Sequence, residues 1–162
     1  INYYFTAFDA IVKKHKLEKI KTIGDAYMCA GGIPHENDTH IKDTVYAALD
    51  IIDFVKDTYA NPPEGLTPFK IRIGINSGRL VAGVVGSTKF QYDIWGDTVN
   101  AAARLETSSS ANQVNVSEEI YNTLKDDLDF EYRGEIPVKN RGEMKMYFAH
   151  RKNGVEAENV TA

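Results

Sequence analysis

The amino-acid sequence predicts an α+β domain of the ferredoxin-like βαββαβ sandwich type, and three observations support this. Apolar residues recur every three or four positions over residues 1–16 and 40–60, which is the spacing of a helix face. Other segments alternate apolar and polar residues, which is typical of strands. The sequence also lacks the glycine fingerprint of a doubly wound dinucleotide-binding sheet. Interleaved helices and strands therefore favour a mixed arrangement.

The first half of the chain is predicted to form a helix, a hairpin and a second helix. The segments, in order, are residues 1–16, 18–23, 26–30 and 40–60. Lysines at the end of the first helix are favourable there, because the C-terminal end of a helix carries partial negative charge. Gly24 and Asp25 form the predicted turn of the hairpin. The second helix must end before Pro62, since proline cannot continue a helix.

The second half of the chain is predicted to be richer in strands. The segments are strands at 69–76, 80–85 and 89–94, a helix at 98–107, a strand at 113–116, a helix after Ser117, and strands at 130–133 and 144–150. Ser117 is a candidate N-cap, because its hydroxyl can accept a hydrogen bond from the first turn. Residues past Lys152 are polar. We assign residues 1–152 to one domain and 153–162 to a polar C-terminal tail.

Composition restricts the possible functions. The 162 residues fit one domain with a sizeable core, and the formal net charge of −4 argues against binding to nucleic acid. The single cysteine, Cys29, excludes an internal disulfide and fits a reducing compartment. No segment is long and apolar enough to span a bilayer. The first residue is Ile1 rather than Met, so we expect the chain to be a piece of a longer protein.

Three stretches carry the candidate chemistry. They are residues 19–27 (KIKTIGDAY), 71–79 (IRIGINSGR) and 91–104 (QYDIWGDTVNAAAR). Taken locally, Asp25 could belong to an ordinary turn and Lys21 could be a solvated strand lysine. Asn100 and Arg104 are four residues apart and therefore share one helix face. Arg72 lies on an apolar strand, where an unpaired charge is costly, so it calls for either an anionic ligand or a salt bridge at the core edge.

In this order and spacing, the three stretches resemble the catalytic domain of class III adenylyl and guanylyl cyclases over nearly the whole chain. The resemblance implies attack of a nucleotide 3′-oxygen on the α-phosphorus, with pyrophosphate leaving. It implies that Asp25 binds two divalent ions, Mg²⁺ or Mn²⁺, which prefer oxygen ligands beside phosphates. It further implies that Asn100 orients the ribose and that Arg104 meets the charge developing on the α-phosphate. Arg72 and Lys139 match positions that hold the β- and γ-phosphates.

Lys21 and Asp93 match the positions that select the base. Adenine offers an acceptor at N1 and a donor at its 6-amino group, so a lysine can donate to the first and an aspartate can accept from the second. Guanine reverses this pattern, and guanylyl cyclases carry Glu at the position matching Lys21. We therefore expect ATP as the substrate and cyclic AMP as the product, with a guanylyl cyclase of the same fold as the alternative.

Two features of the family pattern are not reproduced. The family often has a glycine between two basic residues where this chain has Asn140, so either Lys139 or Arg141 could reach the phosphates. The family also has a second metal-binding aspartate upstream of the first helix, and that stretch and the first strand of the fold are missing here. Asp9 only echoes the motif and is not assigned the role. We expect an upstream segment in the parent molecule, and little activity from a polypeptide that starts at Ile1.

The resemblance implies active sites formed between two protomers of a homodimer. One wall would carry Asp25 and Arg72, and the partner would supply the remaining site residues. The expected location is the cytoplasm, or the cytoplasmic side of a membrane protein with an upstream regulatory or membrane domain. A non-catalytic nucleotide-binding domain is the rival from another class, but such domains usually lose the residue matching Asn100 or Arg104. A diguanylate cyclase is disfavoured, because its Gly-Gly-Asp/Glu-Glu-Phe signature is absent from the sequence.

Overall fold

A computed structural model describes residues 1–152, and the elements over that range confirm the α+β class. They are α1 (Asn2–Lys14), β1 (Glu18–Ile23), β2 (Ala26–Ala30), α2 (His40–Ala60), β3 (Arg72–Ile75), β4 (Val81–Val85), β5 (Gln91–Trp95), α3 (Asp97–Thr107), β6 (Gln113–Ser117), α4 (Glu118–Leu124), β7 (Asp129–Val138) and β8 (Gly142–His150). Every predicted element is present with the predicted type. The predicted tail, 153–162, lies outside the described residues.

The main sheet has four strands in the order β3-β6-β8-β7. β3 and β6 run parallel, whereas the β6–β8 and β7–β8 pairs are antiparallel. Within residues 1–152, β1–β2 and β4–β5 form separate hairpins that are not hydrogen-bonded to this sheet. The two hairpins must therefore be positioned by side-chain contacts rather than by a continuous ladder.

The bounds of two predicted strands, 69–76 and 130–133, differ most from those in the structure. Residues 69–76 give a strand only at Arg72–Ile75, because Phe69 stacks on Tyr4 with ring centroids 3.9 Å apart instead of joining a ladder. The predicted strand 130–133 is much longer in the structure, as the ten-residue β7, and it forms one hairpin with β8, which begins two residues earlier than predicted. Its register shifts between Tyr132 and Gly134, and this irregularity breaks the alternation from which a strand is recognised.

The largest core cluster lies between α2 and the main sheet. Val45, Leu49 and Ile52 of α2 pack in one cluster with Val114 and Val116 of β6. Burying each such side chain stabilises the fold by about 1.5–3 kcal/mol. The apolar face that the spacing in α2 predicts is therefore the face that holds the helix on the sheet.

Helix α3 is held on the sheet by a close approach to β3. A Cβ atom at Gly74 would lie 2.1 Å from the backbone nitrogen of Glu106 in α3, so only glycine allows the two backbones to pack this closely. On the same helix, Ala101 and Leu105 are fully buried in a cluster with Met146 of β8. These contacts fix the position of the helix that carries Asn100 and Arg104.

The end of β8 is tied to both long helices through Asp50. This carboxylate accepts hydrogen bonds from His15, at 2.7 Å, and from Arg151, at 2.7 Å. Arg151 also pairs with Asp53 at 3.0 Å. Burial opposes ionisation of Asp50, but the hydrogen bonds from His15 and Arg151 outweigh it and hold the pKa of the carboxyl below its ordinary value.

Changing Gly74 to Ala should destabilise the fold by about 1–3 kcal/mol, because the added methyl group would force α3 away from β3. Gly83→Ala is the matched control, since a Cβ there would meet only the Trp95 ring at 3.7 Å, an ordinary contact. Urea unfolding of both variants measures the difference. Equal stability of the two variants would show that α3 is free to shift.

Changing Asp50 to Asn should lower the free energy of unfolding by about 1–3 kcal/mol at neutral pH. Because the folded-state pKa is lowered, the contribution of the carboxylate is fully present above its unfolded-state pKa of about 4 and is lost as the pH falls through the folded-state value. The gap between wild type and variant should therefore close on acidification. Asp57→Asn, at an exposed position of the same helix, is the control. A gap that persists at the acid end of a urea-unfolding series would contradict this.

Candidate functional site

Asp25 occupies the tip of the first hairpin. Ile23 pairs with Ala26, so Gly24 and Asp25 are the two turn residues, and Gly24 adopts a φ of +58°. Asp25 is exposed, and no hydrogen bond or ion pair within residues 1–152 links it to the other predicted site residues. In that same range, no group of three or more His, Cys, Asp or Glu side chains could hold a metal ion. Asp25 therefore offers a single, accessible carboxylate.

Lys21 and Asp93 are brought together from strands 72 residues apart in the chain. The ammonium of Lys21 lies 2.9 Å from Oδ2 of Asp93, and the two side chains are only 25% and 19% exposed. The other carboxylate oxygen accepts a hydrogen bond from the backbone N–H of Ile94 at 2.7 Å. The hydrogen bonds from Lys21 and from Ile94 lower the pKa of Asp93, so this carboxylate is ionised at neutral pH.

A bulge in β1 separates Lys21 from its neighbour Lys19. The register with β2 shifts between these residues, which leaves Ile20 as the extra residue of the strand. Lys19 then contacts Asp9 of α1 at 3.1 Å, whereas Lys21 turns toward Asp93 of β5. Strict alternation would have placed both lysines on one face of the hairpin. Asp9, which only echoes the family's metal motif, is engaged in this structural contact.

Asn100 and Arg104 lie on one exposed face of α3, as their spacing predicts. Arg104 donates one hydrogen bond from Nε to the carbonyl of Pro137 at 3.3 Å, which uses one of the five N–H donors of its guanidinium. The start of α3 is fixed from β3, because the amide of Asn76 donates to the carbonyl of Thr98 at 3.2 Å. Both side chains therefore project from a helix whose own position is fixed.

Arg72 forms an ion pair within this chain. Its Nε lies 2.9 Å from a carboxylate oxygen of Glu106 on α3, and both side chains are more than a third exposed. The salt bridge at the core edge, one of the two alternatives that the sequence left open, is thus present. The pair is exposed and of low intrinsic strength, so it leaves the guanidinium accessible to a further anion.

The turn between β7 and β8 carries Lys139 and Arg141. Asn140, between them, has a φ of +66°, a left-handed conformation that glycine adopts freely and asparagine tolerates. Its side-chain amide donates to Asp97 at the start of α3 at 3.3 Å. Lys139 and Arg141 are both exposed at the turn, and the guanidinium of Arg141 lies near Gly78. Asparagine therefore preserves the backbone conformation where the family often has glycine.

Large apolar side chains are exposed on both faces of the second hairpin. The most exposed large apolar side chains are Phe90 at 73%, Val84 at 64% and Ile23, from the first hairpin, at 60%. Val81 and Trp95 of the β4–β5 hairpin are also about half exposed. Exposed apolar patches of this kind mark interaction surfaces. None of the helices in residues 1–152 is long and apolar enough to cross a membrane.

Several contacts of the predicted residues were not foreseen from the sequence. Glu106 as the partner of Arg72, and Asp97 as the partner of Asn140, both depend on where α3 lies against the sheet. The sequence signals were the charge of Arg72 on an apolar strand, which called for an anionic partner, and an asparagine in place of a family glycine.

The chain belongs to the adenylate and guanylate cyclase catalytic domain family, whose model matches residues 1–151. It is 42% identical over 144 residues to an adenylate cyclase of Mycobacterium tuberculosis, a match that covers 89% of this chain and 32% of that protein. It is 37% identical over 153 residues to the receptor-type guanylate cyclase gcy-4 of Caenorhabditis briggsae, covering 91% of this chain and 13% of that one. The chain thus spans a third or less of these two relatives.

A solved structure shows the same fold. The guanylate cyclase domain of RhGC from Catenaria anguillulae, crystallised in complex with GTP, superposes with a TM-score of 0.85 at 35% sequence identity. The match covers 93% of this chain and 82% of that domain. Both adenylate and guanylate cyclases are therefore among the similar proteins, and similarity alone does not choose between ATP and GTP.

Proposed function

We propose that this chain is the catalytic domain of an adenylate cyclase that converts ATP to 3′,5′-cyclic AMP and pyrophosphate. The ion pair between Lys21 and Asp93 is the observation that carries the choice of base. At a separation of 2.9 Å it presents a hydrogen-bond donor directly beside an acceptor. Adenine offers the complementary order, an acceptor at N1 beside a donor at the 6-amino group, whereas guanine offers the reverse. With GTP, the donor Lys21 would therefore face the N1–H donor of guanine, and the acceptor Asp93 would face its O6 acceptor.

Asn100 and Arg104 are the proposed catalytic residues. In the proposed reaction, the ribose 3′-oxygen forms a bond to the α-phosphorus while the bond from that phosphorus to the bridging oxygen of pyrophosphate breaks. Asn100 would orient the ribose, and the guanidinium of Arg104 would stabilise the negative charge that develops on the α-phosphate. Their common exposed face on a fixed helix supports these roles. The presence of both residues disfavours the non-catalytic alternative, since such domains usually lose one of them.

Arg72 and Lys139 are proposed to bind the β- and γ-phosphates. Arg72 keeps accessible N–H donors beside Glu106, and a guanidinium suits bidentate binding of phosphate oxygens. Lys139 and Arg141 are both exposed at the β7–β8 turn, and the guanidinium of Arg141 lies near Gly78. Lys139 is proposed as the phosphate contact because it occupies the matching family position, with Arg141 as the alternative.

Divalent metal binding is proposed through Asp25. Mg²⁺ is usually held by one or two carboxylates together with substrate phosphates, and an exposed carboxylate on a rigid turn fits that requirement for one ion. A two-ion site needs more carboxylate ligands than the described residues 1–152 bring together. A bound Mg²⁺ or Mn²⁺ would neutralise part of the negative charge of the phosphates. The role of Asp25 is then to fix where the triphosphate lies relative to Arg72.

A homodimer is the proposed active form. The exposure of the large apolar side chains of Ile23, Val84 and Phe90 supports a protein partner. A two-fold interface uses the same patch on both copies, so each dimer would contain two equivalent sites. In this arrangement Asp25 and Arg72 of one protomer face Asn100 and Arg104 of the other.

Exchanging the base-selecting pair should change the substrate. In the full-length protein, Lys21→Glu with Asp93→Cys should lower kcat/KM for ATP at least tenfold and allow turnover of GTP, since each polar contact to a base edge contributes about 1–3 kcal/mol of discrimination. Formation of cyclic AMP and cyclic GTP is measured with each nucleotide. Lys56→Glu, an exposed change of the same charge on α2, should leave both rates unaltered. An unchanged preference for ATP in the double variant would refute the base assignment.

Two inactive variants should restore activity when mixed. A heterodimer of Asp25→Ala with Arg104→Ala contains one site with both changes and one intact site, so the mixture should recover a measurable fraction of wild-type activity. As the control, a chain with both changes is paired with wild type, which places one change in each site of the heterodimer. The activity of this control heterodimer should not recover. Verified heterodimers of the single variants that remain inactive would show that each site lies within one chain.

A further inference from the structure

Strand β6, an inner strand of the main sheet, carries two buried polar side chains. Ser117 stands at the predicted N-cap position of α4, but its hydroxyl makes no hydrogen bond within residues 1–152. Asn115 is fully buried, and its Nδ2 donates to the carbonyl of Leu105 in α3 at 2.9 Å. Asn115 therefore joins the middle of the sheet to the last turn of α3.

The carbonyl that Asn115 binds lies at the end of α3, where helix carbonyls lack partners further along the helix. In a continuing helix the backbone N–H of Ser109 would donate to Leu105. Here it donates to the carbonyl of Glu106 instead, at 3.0 Å. The amide of Asn115 supplies the missing donor, so a neighbouring strand caps the C-terminal end of α3.

Asn115 and Gly74 are neighbours in the sheet beneath α3. They are partners in the parallel register of β3 and β6. Gly74 lets the helix backbone approach closely, but apolar contact is not directional and does not fix a rotation of the helix about its axis. A hydrogen bond requires a narrow range of distance and angle. Gly74 therefore sets how near α3 lies, and Asn115 sets how it is oriented.

Packing alone does not explain an asparagine at this position. Besides the carbonyl of Leu105, its Nδ2 meets only the sulfur of Met146, at 3.3 Å, among the contacts of the described chain, and its Oδ1 is buried there without a hydrogen-bond partner. An incompletely bonded buried amide is costly, and a leucine of similar volume would avoid that cost. The hydrogen bond to α3 is the one contribution that leucine could not make.

We propose that Asn115 is a positioning residue for the cyclase reaction, because it holds the last turn of α3 and thereby places the guanidinium of Arg104 at the α-phosphate. Arg104 directly precedes Leu105, whose carbonyl Asn115 binds. Asn76 holds the start of the same helix through Thr98, so the two asparagines fix α3 at both ends. This inference rests on the proposed function, which assigns the catalytic role to Arg104.

Asn115→Leu in the full-length protein tests the proposal, because leucine keeps the volume and removes the donor. The kcat for ATP should fall about tenfold or more, since misplacing a catalytic group by about 1 Å can cost a hundredfold in rate. The KM for ATP should change less than about twofold, because the residues proposed to bind the base lie on β1 and β5. Cyclic AMP formation over a range of ATP concentrations measures both constants.

Val116→Ala is the matched control. Val116 is the next residue of β6, is equally buried and packs with α2 on the opposite face of the sheet. This variant should lose stability, but the kcat of its folded fraction, determined by urea unfolding, should equal that of wild type. If the kcat of Asn115→Leu is unchanged, or falls no further than that of Val116→Ala, then Asn115 has a merely structural role and the proposal is wrong.

Hydrogen exchange in labelled wild-type protein tests the cap itself without nucleotide. The side-chain amide protons of Asn115 should exchange with solvent far more slowly than those of Asn122, which is exposed on α4. Equal exchange rates would overturn the proposal, even if Asn115→Leu fails to fold. Wild-type protein that shows slow exchange but no cyclase activity would instead refute the proposed function, and with it the catalytic consequence of the cap.

Discussion

The ion pair between Lys21 and Asp93 is the interaction on which the arrangement of the site depends. Within residues 1–152, neither hairpin is joined to the main sheet by backbone hydrogen bonds, and this pair links β1 to β5 across 72 residues of chain. The same two side chains are proposed to select the base. Recognition of adenine and placement of the hairpins are therefore coupled, because a change at either residue removes a structural contact together with a specificity contact.

The position of α3 is the second constraint. Gly74 allows the helix backbone to approach β3, and this approach places Glu106 against Arg72 and Asp97 near Asn140. The positions of the elements proposed to contact the ribose and the phosphates thus both depend on how α3 packs on β3. A shift of α3 of even a few tenths of an ångström would move these contacts together, so the glycine contributes to the site without touching a ligand.

Much of the fold was predictable because local signals were strong. The boundaries of α2 follow from its apolar spacing and from the two prolines that come after it, and the β1–β2 hairpin follows from its turn residues. The length of β7 was not predictable, since Gly134 and Pro137 interrupt its alternation. The shortness of β3 was also missed, because the side chain of Asn112 accepts the hydrogen bond of Ile71 that a neighbouring strand would otherwise accept.

The site was predictable to a lesser extent. The spacing of Asn100 and Arg104 showed that they share a face, but no periodicity relates Lys21 to Asp93, and only the family resemblance suggested that they act together. Their contact depends on a bulge at Ile20 that redirects Lys21. The salt bridge of Arg72 was one of two alternatives, and the choice depended on Glu106 of α3, which lies more than thirty residues further along the chain.

Turnover of two ATP analogues by the wild-type protein tests the central claim most directly. The 1-deaza analogue lacks the N1 acceptor that Lys21 is proposed to contact, and the purine analogue without the 6-amino group lacks the donor for Asp93. Each should lower kcat/KM at least tenfold relative to ATP, in keeping with about 1–3 kcal/mol per base-edge contact. If both analogues are cyclised as efficiently as ATP, then the Lys21–Asp93 pair does not read the base.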